Sequence, residues 1–213
     1  MVWPNFELVG ETVRLRPLVR DDIDALAAAG VESREHYRYT TVPNGRDEAL
    51  EYVERAEQMM AAGARLVLAT IWNDSLVGST SFIGMLPWQW PRDSPLQRVD
   101  RPDSIEIGAT WLAASAQRTR CNTEAKTLML THAFDVWKVH AVRFRTDERN
   151  ARSRRGIERL GAVLEGVIRA DFPAQDAQPR NSASYSITGD EWPAAAARLG
   201  RRLEAVSEGR SSC

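Results

Sequence analysis

Between Ile105 and Ala162 the hydrophobic period of the chain switches from two residues to helical spacing and back again. Ile105, Ile107, Ala109 and Trp111 alternate with Glu106, Gly108, Thr110 and Leu112, which predicts a strand with one apolar face and Glu106 on the other. After a polar turn over 116–123, Ala125, Leu128, Met129, Ala133, Val136 and Trp137 recur at helical spacing. Residues 141–146 read as a second strand. The polar run 147–153 then leads into a short helix ending at Gly161. Strand, helix, strand in that order predicts a parallel pair joined by a right-handed crossover.

The flanking sequence supplies the rest of a sheet. Residues 12–16 form a first strand stopped by Pro17, and Asp21-Asp22 open a short helix carrying Ile23, Leu26 and Ala27. A second helix over 46–62 places Leu50, Val53, Ala56 and Met60 on one side and stops at Gly63. Strands at 66–72 and 76–84 flank Asn73-Asp74, a hairpin signal. Residues 87–102 hold four prolines with Trp88 and Trp90 and predict a long loop. Beyond Gly161 come a strand at 163–169, a polar excursion over 173–179 and a strand at 184–188. A last helix follows, opened by Asp190 and Pro193. The expected class is α/β (α+β): a mixed, mostly antiparallel sheet of six to seven strands with one parallel pair, flanked by helices. It forms one domain over 1–206, with a frayed tail at 207–213.

Composition narrows the function. The 213 residues suit a single domain, and a net charge of −1 gives no global attraction to nucleic acid or an anionic membrane. Neither is an expected partner. Two cysteines, Cys121 and Cys213, suggest no disulfide framework, and the N-terminus does not resemble a signal peptide, so a cytoplasmic location is expected. His36, His132 and His140 lack ligand spacing, so no metal is expected. Between Arg143 and Arg159 seven arginines stand against three acids, either a solvated ion-paired face or a patch for coenzyme phosphates.

The turn ahead of the central helix is the chemical focus. Amide donors and the positive end of the helix dipole gather there beside Arg118 and Arg120, a suitable anion seat. The order and spacing of several segments resemble the GCN5-related N-acetyltransferases, in particular the branch with the RimJ and RimL protein N-terminal acetyltransferases. These segments are Thr12-Val13-Arg14-Leu15-Arg16-Pro17-Leu18, Glu106-Ile107-Gly108, Asn122-Thr123-Glu124-Ala125, Asn150-Ala151-Arg152-Ser153 with Leu160-Gly161-Ala162, and Tyr185-Ser186-Ile187 before Glu191-Trp192-Pro193.

The resemblance implies acetyl-coenzyme A, or another acyl-coenzyme A, as co-substrate, with the pyrophosphate held by a loop of pattern Gln/Arg-x-x-Gly-x-Gly/Ala. Gln117 matches its first position, whereas Arg120 and Asn122 stand where small residues are usual. Gln117, Arg118, Thr119, Arg120, Cys121, Asn122 and Thr123 are the expected phosphate-binding residues, and Arg120 is expected to swing outward and donate to a phosphate. Thr110, Trp111 and Leu112 would meet the pantetheine arm by their backbone, with an amide near Trp111 for the oxyanion. Asn150 would pair with pantetheine amides and Ser153 lie near the phosphates. Glu106 is the implied general base. The tyrosine acid of many members is Ile157 here, leaving Ser153, water or direct thiolate departure. The acceptor is an amine: a protein N-terminus, a lysine or a small molecule. Tyr37, Trp88 and Trp90 are expected at its mouth, and a homodimer is left open. Two alternatives remain: a larger acyl group such as succinyl, and a coenzyme-binding scaffold without turnover.

Overall fold

The computed structural model describes residues 6–85, 87–98 and 100–208. Cys213 and most of the expected tail lie outside the described residues. One sheet contains β1 (Leu8–Val9), β2 (Val13–Pro17), β3 (Arg65–Trp72), β4 (Ser75–Ile83), β5 (Ser104–Leu112), β6 (Ala141–Asp147), β7 (Val163–Pro173) and β8 (Pro179–Thr188), in the order β1-β2-β3-β4-β5-β6-β8-β7. Among the described residues only β5 and β6 pair in parallel. The eighth strand, beyond the expected six to seven, is β1: two residues are too short to display a period, yet they pair with Leu15 and Arg14. The polar excursion at 173–179 proves to be the tip of a long hairpin. There Phe172 pairs with Arg180 and Pro173 with Pro179, and proline is tolerated at strand ends and on the sheet edge.

Helices cover both faces. Trp111 meets Tyr52 of α2 (Arg46–Ala61), whereas the adjacent Thr110 meets Lys126 of α3 (Cys121–Thr131). Neighbouring strand residues point to opposite faces, so α2, with α1 (Ile23–Val31) packed on it, lies opposite α3 and α5 (Trp192–Glu208). The core between them includes the fully buried Leu15, Leu66, Leu68, Phe82, Met129, Leu130, Tyr185 and Leu199. The central helix is shorter than its apolar spacing predicts. The α-helix stops at Thr131 and continues as a π-helical turn, His132–Val136, that seats Phe134 on Trp192 and Trp137 on Phe82.

Two irregularities shape the middle of the sheet. The β4–β5 register slips between Ser79 and Ser81, leaving Ala109 and Thr110 as a bulge, with Ala109 in the left-handed region at φ 47°. The β5–β6 ladder contains only Ser104–Ala141, Ile105–Val142 and Glu106–Arg143. Past that point β5 runs to Leu112 and β6 to Asp147 without pairing to each other.

Candidate active site

Glu106 stands where the ladder ends. Through their β4 partners Ile83 and Ser79, Glu106 and Trp111 share the α1–α2 face, because the bulge between them adds a residue and reverses the alternation. This corrects the strict two-residue pattern read from the sequence, which put them on opposite faces. Arg145 Nε and Nη2 each lie 2.7 Å from Glu106 Oε2. The same guanidinium reaches Asp171 at 3.5 Å and lies 5.0 Å over the Phe172 ring, whose other cationic neighbour is Arg180 at 5.2 Å. The floor of this half of the sheet is therefore polar and laced with charge.

Beyond the end of β6, the loop between α1 and α2 meets the tip of the β7–β8 hairpin. Arg149 pairs with Asp147 at 2.7 Å and Asp176 at 2.8 Å and lies 5.4 Å over the Tyr39 ring, while Gln175 Nε2 donates to Thr41 Oγ1 at 2.6 Å. The paired Arg149 holds the carboxyls of both aspartates below the usual range, the side-chain hydrogen bond being the main cause.

The far end of β5 is tied to the phosphate-type loop through one carbonyl. Leu112 O accepts from Tyr37 Oη at 2.9 Å and from Gln117 Nε2 at 2.8 Å, and Gln117 Oε1 accepts from Arg152 Nη2 at 2.8 Å. Gln117 thus joins the loop to the start of α4 (Ala151–Leu160). Burial lowers the pKa of Arg152 from its ordinary value, and the positive charge of Arg118 adds to that. Two guanidiniums therefore sit close together at the loop. Four amides of a helix's first turn lack helical acceptors. Here Thr119 Oγ1 takes that of Cys121 at 3.1 Å, and the helix's own ladder begins only with Glu124 N donating to Arg120 O at 2.9 Å, so the amides of Asn122 and Thr123 stand at the helix's positive end.

Arg120 does not behave as the sequence suggested. It adopts ordinary helical φ, −69°, and the left-handed residue of the loop is Arg118, at φ 60°. Its side chain is 5 % exposed and turns inward, where it pairs with Glu11 at 2.6 Å and with Glu124 at 3.2 Å. The outward swing toward a phosphate is corrected by this geometry: a buried Glu124 demands a cation, and Arg120 is that cation. Glu124 also accepts from Thr12 N, Thr12 Oγ1 and Val13 N, fastening α3 to β2. Burial alone would raise its pKa, but these bonds with Arg120 hold it below the ordinary value.

Cys121 is buried and its thiol is pushed up to about 12 by desolvation, so only its backbone faces the seat. Asn150 caps α4, its Oδ1 accepting from Ser153 N at 3.0 Å, which leaves the amide NH₂ and the Ser153 hydroxyl as the polar groups it can offer. Ile157 is buried.

The structure does not bring all the expected acceptor residues together. Tyr37 is buried, with its ring edge-on to Trp111 at 6.3 Å, beside Leu112. Trp88 instead stacks on His140 at 5.5 Å and donates its backbone N–H to Asp103 Oδ2 at 2.8 Å, with Trp90 5.7 Å from the same imidazole. Asp103 precedes β5 and Leu112 ends it, so these groups lie on the order of 25 Å apart along the strand. Residues 36–39 and 87–102 therefore do not meet in one place, and Tyr39 instead forms a wall with Arg149 and Asp176.

Three contributors escaped sequence reasoning: Arg145, Arg152 and Lys126. Arg145 was visible only as a member of an arginine-rich run, and Arg152, though inside the Asn150–Ser153 segment, was given no role there. Lys126 is buried beneath the bulge, donating to Thr80 Oγ1 at 2.7 Å and Thr110 Oγ1 at 2.6 Å, and desolvation lowers its pKa to about 7. A lysine at a core position of the α3 pattern was its only signal.

Comparison with known proteins accords with this layout. The family model described as acetyltransferase (GNAT) domain matches residues 12–163. A provisionally described acetyltransferase from T. thermophilus is 32 % identical over 92 % of this chain and 96 % of its own, with a TM-score of 0.74. A ribosomal-protein-S5-alanine acetyltransferase from Vibrio fischeri shares the fold at 13 % identity, covering 88 % of this chain and 99 % of its own, with a TM-score of 0.66. Mycobacterium smegmatis RimJ in complex with CoA-disulfide shares it at 20 % identity, over 94 % of this chain and 95 % of its own, with a TM-score of 0.71. No curated protein matches the chain. Among the described residues no helix is long and apolar enough to cross a membrane, and no cluster of three metal-ligating side chains occurs. With the family model covering the sheet from β2 to the start of β7, the chain belongs to the GCN5-related N-acetyltransferase family and is an acyltransferase.

Proposed function

We propose that the protein transfers an acetyl group from acetyl-coenzyme A to a primary amine, a protein N-terminal α-amine first among them, by direct aminolysis of the thioester. The observation that carries this reading is the parting of β5 and β6 beyond Glu106 and Arg143, with the loop 113–120 and the start of α3 at the far end of β5. An extended pantetheine arm would lie along the unpaired edge of β5 as an added strand does, meeting the backbone of Thr110 and Trp111. The Leu112 carbonyl, already engaged twice, marks the end of that run. The pyrophosphate would rest on the amides of Asn122 and Thr123, flanked by Arg118, Thr119 and Arg152.

Transfer requires a neutral amine and a stabilised oxyanion. Glu106 would receive the amine's proton directly or through water, and an amide of the bulged segment near Trp111 would face the developing oxyanion. An α-amine needs less help than a lysine, since its deprotonation at neutral pH costs about 1.4 kcal/mol against about 4.6 kcal/mol. Ser153, at the start of α4, or water would protonate the departing thiolate. The name of the Vibrio fischeri neighbour, a ribosomal-protein-S5-alanine acetyltransferase, supports a protein as acceptor. The exposed Val163, Leu164, Val167 and Ile168 on the open edge strand β7 support a homodimer, which light scattering checks. Thiol release from acetyl-coenzyme A, followed with a panel of peptides differing in their first residue, tests the reading. Release only with peptides bearing a free N-terminus is expected, and acetylation of lysine alone would redirect it.

A further inference from the structure

The arginine-rich run divides sharply in the folded chain. Arg143 donates to Ser104, Arg145 to Glu106, Arg149 to Asp147 and Asp176, Arg152 to Gln117 and Arg154 to Tyr185. Arg155 and Arg159 remain, one turn apart on α4, with no ion pair among the described residues. They face Arg198 and Arg202, one turn apart on α5 and likewise unpaired, across an open groove of about 490 Å³. The one acid lining it, Glu158, is bonded to Tyr185 Oη at 3.0 Å. Like charges at i,i+4 weaken a helix, and two such pairs facing one another add further repulsion. A polyanion in the groove would remove that cost.

We infer that this groove binds the phosphodiester backbone of nucleic acid, with RNA as the ligand tested. Two rows of guanidiniums, each with neighbours about 6 Å apart, suit a ligand whose charges are spread along a chain better than one small anion, which needs convergent donors. An anionic membrane fits less well. Of the apolar residues of α5, the large Trp192 and Leu199 and the small Ala195 are buried in the core, and no large apolar side chain lines the groove to enter a bilayer. The site is separate from the coenzyme seat. Arg152, which reaches Gln117, lies in the first turn of α4, whereas Arg155 and Arg159 lie about 5 Å and about 10 Å further along the helix. The net charge of the whole chain conceals this patch, which is why composition alone argued against nucleic acid.

The test is fluorescence anisotropy of the full chain with a labelled 20-nucleotide single-stranded RNA. Four contacts predict a log–log salt slope of about −2.8, or about 50-fold weaker binding at 200 mM than at 50 mM salt. R155Q/R159Q and R198Q/R202Q should each halve the slope and the quadruple variant abolish binding, while all three keep the wild-type melting shift with acetyl-coenzyme A. No binding at 50 mM salt, an unchanged slope in the quadruple variant, or capture by phosphatidylserine vesicles but not by RNA would each overturn the inference.

Discussion

Arg145 holds Glu106 by two nitrogens, Nε and Nη2, each 2.7 Å from the same carboxylate oxygen, so the acid at the parting of β5 and β6 is half of an ion pair. Oε2 is committed, and Oε1 lies over Gly108, where a Cβ would approach it to 3.1 Å. On the proposed reading, the proton of the incoming amine would have one oxygen to go to. Glu106→Gln is expected to lower kcat about 100-fold or more with the coenzyme's dissociation constant unchanged. Steady-state kinetics with calorimetric coenzyme titration checks this, and wild-type kcat in the variant would remove Glu106 from the chemistry.

Arg152 and Arg120, on either side of the loop before α3, should separate under substitution. Arg152→Gln loses a charged donor beside the seat and should weaken acetyl-coenzyme A about tenfold with little change in melting temperature. Arg120→Gln leaves the buried Glu124 without its cation and should cost about 3 kcal/mol of stability, read by urea unfolding. Equal effects of the two changes on coenzyme affinity would contradict the inward assignment of Arg120.

Lys126 sets a pH dependence whose sign is fixed. Unfolded, its amine keeps its proton to about pH 10.4. Folded, desolvation lowers the pKa to about 7. Between those values the unfolded chain binds the extra proton, so the free energy of unfolding should rise with pH from about 7 upward, and the penalty is fully present below 7. Lys126→Met should flatten that rise and stabilise the fold at pH 6 by about 1–3 kcal/mol. Thr80 and Thr110 keep each other as partners at 2.8 Å in that variant. Urea unfolding at pH 6, 7 and 9 decides the matter, and a parallel pH profile in the variant would contradict it.

Most of the fold could be read in the chain because its strands and helices carry clean periods, as at Ile105, Ile107 and Leu128, Met129. What escaped depended on contacts far apart in sequence. Leu8 and Val9 form a strand only because Leu15 and Arg14 are there to pair with them. The bulge at Ala109 leaves no periodic mark, yet it decides that Glu106 and Trp111 share a face. At the site, Gln117 and Asn150 were found through family motifs. The partners of Glu106 and Arg120 were not, since a run of arginines does not say which carboxylate each will meet. Trp88 and Trp90 were singled out by type alone, and their packing around His140 left no mark in the sequence.

Acceptor specificity gives a further contrast. Tyr39→Ala and Asp176→Asn disturb the wall where the loop between α1 and α2 meets the β7–β8 tip, and each should raise the acceptor's KM several-fold without moving coenzyme affinity. Trp88→Ala with Trp90→Ala should leave that KM unchanged and lower the melting temperature, through lost stacking on His140. Peptide-dependent kinetics of the two sets checks this, and the opposite ranking would return the acceptor to the 87–102 loop.

Acetyl-coenzyme A is proposed to occupy the space between β5 and β6 and to deliver its acyl group there. Hydrogen exchange of the chain with and without acetyl-coenzyme A tests it most directly, because the pantetheine arm should protect amides along the unpaired part of β5, and the phosphates those opening α3. Slowed exchange at 108–112 and 121–123 is expected, together with a melting temperature raised by about 5–10 °C at a hundredfold excess over the dissociation constant. Unchanged exchange at both segments under saturating coenzyme would contradict it.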